Sequence, residues 1–300
     1  MMCWPATKRS WAVESICSFL RLTPDYTRGL PGAAAQIAVG DLCYVDIELG
    51  KEKLSLQTDS PSQSNNSPAN ASFILHTPDG GVCDLKRSAL GQISVGSERQ
   101  IEPCAANCCS HFGAAFSASQ PGVYIADARF VSEHQITGKS VKCAKAIIGV
   151  TRASRGGLGL TGFDRAISQV LELIPLNDPT TLAVGDCLTV QVLFKGSPLP
   201  GVCVTVIPRG KILPRFGVET PYDVVTDGDG RATFTFEEPS YHLFVVHLKV
   251  DEDPTTERIA SQETRYSGDL TVMVRPRPQR TPIEDPAPRQ FVEPLVPVCS

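Results

Sequence analysis

The chain has 300 residues, a hydrophobic fraction of 42% and a formal net charge of −4, which is enough length and apolar content for two ordinary domains with packed cores. The acidic balance and the scattered lysines and arginines exclude a nucleic-acid binder, which needs a basic stripe to neutralise phosphates. No run approaches the roughly 18 apolar residues of a spanning helix, so no transmembrane segment is expected.

The chain opens MMCWPATKRSWAVESICSFLRL. Its apolar patch, Ile16 to Leu20, is bracketed by Glu14 and Arg21 and is too short for the apolar region of a secretory signal. Residues 1–35 are therefore expected to be a non-globular leader, or a stretch ahead of the true start. A first β-sandwich is expected over 36–150. It opens with AVGDLCYVDIELG (Ala38 to Gly50), a Gly-Asp turn followed by strict apolar alternation, the mark of a strand with one buried face. A polar loop rich in Ser, Asn and Pro follows over 55–72 and offers nothing to bury. Phe73 to Leu75 reads as a strand, Pro78 to Gly81 as a turn, and Ala114 to Ala126 as strand, tight turn, strand. Ser140 to Val150 reads as another strand.

Residues 151–170 read as a flexible connector containing TRASRGGLGLTG, with a short helical turn expected over 164–170. A second sandwich is expected over 171–275. Its strands are Leu171 to Leu176, Leu188 to Phe194, Val202 to Val206, Val224 to Thr226, Ala232 to Phe236, His242 to Val250 and Leu270 to Val274, about the number a sandwich needs. Asp227-Gly-Asp229-Gly reads as a hairpin turn. Residues 276–300 are dense in proline and read as an extended or disordered tail.

Two internal matches tie the halves together. Ala38-Val-Gly-Asp recurs as Ala183-Val-Gly-Asp, and the alternation that follows has the same phase: Cys43, Val45, Ile47 and Leu49 against Leu188, Val190, Val192 and Phe194. Downstream, Ala114, Phe116 and Pro121 align with Ala232, Phe234 and Pro239 without a gap. The fold class is accordingly all-β, two immunoglobulin-like or transthyretin-like sandwiches that share one strand logic.

The second half also carries a resemblance. LELIPLNDPTTLAVGDCLTVQVLFKGSPLPGVCVTV (Leu171 to Val206), VVTDGDGRATFTF, HLFVVHL and the closing YSGDLTVMV (Tyr266 to Val274) resemble the exported bacterial family of unknown function numbered 4198, often catalogued under a nickel-uptake label. GKSVKCAKAIIGV upstream is similar to the family's segment ahead of this domain. The resemblance implies a periplasmic or cell-surface protein with two β-rich parts. It further implies association with nickel or cobalt uptake, and a membrane transporter or other envelope protein as partner. Many members begin with a histidine and aromatic motif; the matching stretch here, Pro31 to Gln36, has no histidine.

The chain has 11 cysteines, an odd number, so at least one stays unpaired in a monomer. The best metal constellation is Cys104, Cys108, Cys109 and His111, three thiols and an imidazole within eight residues. Such ligands suit zinc, nickel, cobalt or copper. A disulfide to Cys83 or Cys143, or free thiols, is the alternative. His242 and His247 are five apart, which on one strand means opposite faces. Asp227 and Asp229 lack the further oxygen ligands of a calcium loop. There is no nucleophile elbow, phosphate loop or His-Glu-x-x-His, so no catalytic residue is expected and a non-enzymatic binding or accessory role is. A surface adhesion or carbohydrate-binding module, or a purely structural domain, is the alternative.

Overall fold

The computed structural model describes residues 20–25, 36–50, 71–85, 109–134, 138–152, 160–209, 220–251 and 263–277. Sixteen strands, β1 to β16, and no helix are found among them. Three sheets result. β1 (Leu20–Asp25), β3 (Leu42–Gly50) and β6 (Cys109–Ser117) form the first, in the order β1-β3-β6. The second is built on β10 (Cys187–Phe194), which pairs with β9 (Leu171–Pro175), β11 (Ser197–Pro198) and β14 (Arg231–Thr235).

The third sheet has nine strands. Its path runs β13 (Asp223–Val225), β12 (Cys203–Pro208), β15 (Tyr241–Asp251), β16 (Glu263–Met273), β8 (Gly138–Thr151), β7 (Gly122–His134), β4 (Ala71–His76), β5 (Val82–Asp84). β2 (Gln36–Ala38) adds to the end of β8. The order reads the same outward from the middle: β8-β7-β4-β5 on one side, β16-β15-β12-β13 on the other. The two middle strands run parallel, with Thr264 opposite Lys139 and Thr271 opposite Ala146. A half-turn about an axis along the strands keeps their direction and exchanges the faces of the sheet. The first sheet of each unit therefore caps the opposite face of the shared sheet.

Side-chain alternation makes this visible in β8. Val141, Cys143 and Ile147 belong to the core under β9, β10 and β14. Ala144, Ala146, Ile148 and Val150 belong to the core that holds Cys43, Val45 and Phe116 of the first sheet. A strand buried on both faces reads as a near-continuous apolar run, as SVKCAKAIIGV does. The two sandwiches are fused through one sheet.

The repeat is exact in its pairing. Leu42 faces Ser117 and Val45 faces Ala114; Cys187 faces Thr235 and Val190 faces Ala232, the positions the sequence matches predict. Both turns are built alike. The amides of Ala38 and Ala183 each donate to the carboxylate of the Asp three residues on, Asp41 or Asp186, at 2.9 Å. Gly40 and Gly185 sit at φ +92° and +89°, where a side chain would be strained. The amides of Val39 and Val184 donate to the carbonyls of Thr151 and Arg275, the ends of β8 and of the β16 segment, both at 2.9 Å.

Several expectations are corrected. Residues 20–25, placed in the leader, form β1 and pair along β3, with Leu20 opposite Leu49 and Pro24 opposite Val45. β9 pairs along β10 in the same way, with Leu171 opposite Phe194 and Pro175 opposite Val190. LRLTPD and LELIPL are thus a third repeated piece, marked by Leu-x-Leu-x-Pro. The polar loop ends earlier than expected, because Ala71 and Ser72 already pair in β4. No helical turn forms over 164–170; that segment is extended and packed, with Ile167 and Gln169 buried. Asp227 to Gly230 is a turn, its Asp227 carboxylate accepting from the amides of Asp229 and Arg231 at 2.9 Å. The strands it joins lie in different sheets, so it is an arch between layers and no hairpin. β16 begins at Glu263, well before Leu270, because its polar first half is buried against the other unit.

Candidate functional site

Of the predicted metal ligands, Cys104 and Cys108 lie outside the described residues. Cys109 and His111 lie in β6, where their backbones face Gly50 and Glu48 of β3. Among the described residues no group of three or more His, Cys, Asp or Glu is gathered as for a metal ion. Cys83 and Cys143 are free thiols, so neither closes the alternative disulfide. Cys143 is buried beneath β9, and burial pushes its thiol up to about 11, which makes it a poor nucleophile.

His242 and His247 take opposite faces of β15, as their spacing requires. His242 is buried beside the Phe236 ring, 4.9 Å between centroids, with Nδ1 3.1 Å from the Ser240 carbonyl. Tyr124 fills the equivalent place in the first unit, its hydroxyl donating to the Gln120 carbonyl at 3.2 Å. His242 is thus a core residue anchored to the preceding turn. His247 faces the other side, where burial and the Lys142 ammonium push it down to about 4.

Among the described residues, buried charges gather elsewhere, where the first unit meets residues 160–172. β7 supplies Asp127 and Arg129, β8 supplies Lys145, and β4 supplies His76. The covering segment supplies Arg165, Ile167 and Gln169, and β9 supplies Glu172. Lys145 and Glu172 form an ion pair that is closed to solvent. Glu172 also accepts from the amides of Ile167 at 2.8 Å and Gln169 at 3.2 Å. Burial holds the Lys145 ammonium below the ordinary lysine range against the pull of Glu172.

Asp127 is fully buried. It accepts from the Gln169 amide at 2.6 Å and pairs with Arg129 at 3.0 Å, and His76 Nε2 lies 3.6 Å away. Arg129 in turn donates to the Ile167 carbonyl at 3.0 Å, and Gln169 to the Ala144 carbonyl at 3.0 Å. The covering segment is therefore tied to β7 and β8 at both backbone and side chain. Chemically the cluster is a clasp: two carboxylates in a low-dielectric interior, each satisfied by groups from both sides of the junction.

This clasp was not predicted. Ser140 to Val150 and Leu171 to Leu176 read from the sequence only as strands, and nothing in it brings Lys145 to Glu172.

The described residues contain no helix long and apolar enough to cross a membrane. No curated protein matches the chain. Among solved structures, the D0-D1 domain of intimin is 11% identical with a TM-score of 0.19, covering 85% of this chain and 97% of that one. A DUF4785 family protein from Legionella pneumophila is 8% identical with a TM-score of 0.24, covering 71% and 49%. A putative membrane anchored protein from Corynebacterium diphtheriae is 11% identical with a TM-score of 0.22, covering 87% and 60%. Scores this low carry no argument, and the fold stands on the chain's own pairing. The family model described as a domain of unknown function (DUF4198) matches residues 44–250, more than half of the chain and across the junction, and the chain belongs to that family.

Proposed function

We propose that the chain is a non-enzymatic binding or accessory protein that acts in the periplasm or at the cell surface, holding loops of two fused sandwiches in fixed mutual orientation. The observation that carries this reading is the shared sheet with its solvent-closed Lys145–Glu172 pair. A rigid scaffold displays loops for recognition, whereas a catalytic centre needs reactive groups that a substrate can reach.

The metal-uptake association stays with Cys104, Cys108, Cys109 and His111. Titration of the full chain with nickel, cobalt, zinc and copper(I) tests it. The expected result is binding that a Cys104/Cys108/Cys109 triple serine variant loses; equal binding by both proteins removes the metal role. A carbohydrate-binding module needs exposed rings for sugars to stack on. Among the described residues the exposed large apolar side chains are Val39, Leu42, Val82, Leu176 and Val225, all aliphatic, so a protein or metal partner ranks ahead of a sugar. An activity in a hydrolase screen that is lost on changing His111 would overturn the non-enzymatic reading.

A further inference from the structure

Arg165 is the unbalanced member of the clasp. Its Nη1 donates to the Thr77 carbonyl at 3.0 Å. Its Nε and Nη2, the two donors on the other edge of the guanidinium, are buried and have no acceptor. His76 Nε2, on the residue beside Thr77, is also buried and faces the Asp127 carboxylate at 3.6 Å, longer than an ordinary hydrogen bond. Native interiors leave few such groups, because a buried donor that loses its water without a replacement partner is destabilising. Lys145, Asp127 and Glu172 are buried charges, and Arg129 and Arg165 reach them from partly exposed positions. Asp79 and Asp164 are exposed neighbours in sequence, and Asp79 is occupied by the Thr77 hydroxyl and the Gly81 amide.

We propose that Arg165 and His76 form a binding site for one small oxyanion, a carboxylate or an inorganic phosphate. Two oxygens of such an anion match the Nε and Nη2 edge of a guanidinium as a bidentate pair. The third contact comes from the His76 imidazole. Because the donors are closed to bulk solvent, the ligand is of acetate or phosphate size, and it enters by displacement of the exposed turn at Asp79 to Gly81.

His76 reports on the site. Its surroundings are Asp127 and Arg129 from β7, Arg165 from the covering segment and, deeper, Lys145 from β8. Burial, aided by the two arginines, holds its pKa below the usual histidine value despite Asp127. An anion on Arg165 reverses part of that. The experiment is a histidine NMR titration of the full chain in chloride, acetate or phosphate at matched ionic strength. The expected result is a higher His76 midpoint in acetate or in phosphate than in chloride, and the arm that responds identifies the chemistry. Thermal midpoints should rise with the logarithm of the same anion's concentration. Arg165→Lys keeps the charge but lacks the fork, and should weaken the effect about tenfold, equivalent to about 1.4 kcal/mol. An unchanged His76 midpoint in the wild-type chain overturns the proposal and leaves the fork to an ordered water. Equal responses from wild type and Arg165→Lys overturn it as a general ionic effect.

Discussion

The two sandwiches agree at their turns and differ at their seam. Around Ala38 and Ala183 the same four residues make the same set of bonds at similar lengths. At the seam the sequences diverge. In the strand registers, Lys145 of β8 corresponds to Asp269 of β16, and Glu172 of β9 corresponds to Arg21 of β1. The sign of each position is reversed. The turns are local: each folds on its own backbone, so each copy keeps the residues that the turn requires. The seam is mutual: each middle strand buries its second face against the other unit, so its residues answer to a neighbour outside their own copy.

The largest expected effect comes from breaking the seam's ion pair. Lys145→Met leaves the Glu172 carboxylate buried beside an apolar chain, and Glu172→Leu does the reverse. Each should cost about 3–5 kcal/mol in urea denaturation. The double variant, which buries no charge at this point, should recover most of that loss. A double variant as unstable as the sum of the singles would mean that the pair's worth is not mutual and that the two units are held by something else.

Gly268 sharpens the same comparison through packing alone. It lies in β16 opposite Cys143 of β8, and a Cβ there would meet the Leu171 carbonyl oxygen and Cγ at 2.9 Å. Backbone cannot yield cheaply, so Gly268→Ala should cost about 1–3 kcal/mol. Hydrogen exchange should place the loosening in β8, β9 and β16 together. Faster exchange confined to β9 and β16 would show that the sandwiches open independently.

Acid should weaken the fold in a defined window. His76, His242 and His247 all have pKa values below the ordinary 6.5, with burial as the largest cause, and His247 falls to about 4. The unfolded chain then binds more protons than the folded one, so stability rises with pH across the interval between the two pKa values. The contribution is complete above about 6.5 and is lost on the way down, for His247 by about pH 4. His247→Gln should flatten the stability profile over that interval. An unchanged slope would show that His247 does not carry it.

How much of this was legible follows from the same division. The Ala-Val-Gly-Asp turns, the alternating strands and the aligned Phe and Pro are local signals, and they placed β3, β6, β10 and β14 in register. β1 was legible, since LRLTPD repeats the Leu-x-Leu-x-Pro of LELIPL, although the short apolar patch at Ile16 to Leu20 reads as part of a leader. The parallel joining of β8 to β16 was not legible. It pairs segments more than a hundred residues apart with no turn between them, and its mark is polar residues such as Lys145, Ser267 and Asp269 in buried positions, which a sequence reading assigns to water. The helical turn expected over 164–170 failed for a related reason: Gln169 and Glu172 reach into the clasp from an extended backbone.

The smallest effects belong to the turns, and they test the comparison from its other side. Asp41→Ala and Asp186→Ala each remove one carboxylate that accepts the Ala38 or Ala183 amide. An exposed or partly exposed hydrogen bond of this kind contributes about 1 kcal/mol. Asp186 has one partner more, Arg277 at 2.9 Å, but both side chains of that ion pair are well exposed and it adds about 0–1 kcal/mol. The two variants should therefore lose nearly the same stability, with Asp186→Ala slightly the worse in low salt and equal in high salt, where the surface pair is screened. If one turn proved several times costlier than the other at high salt, the copies would differ in how far the rest of each sandwich leans on its turn, and the local equivalence read from their bonds would not extend to energy.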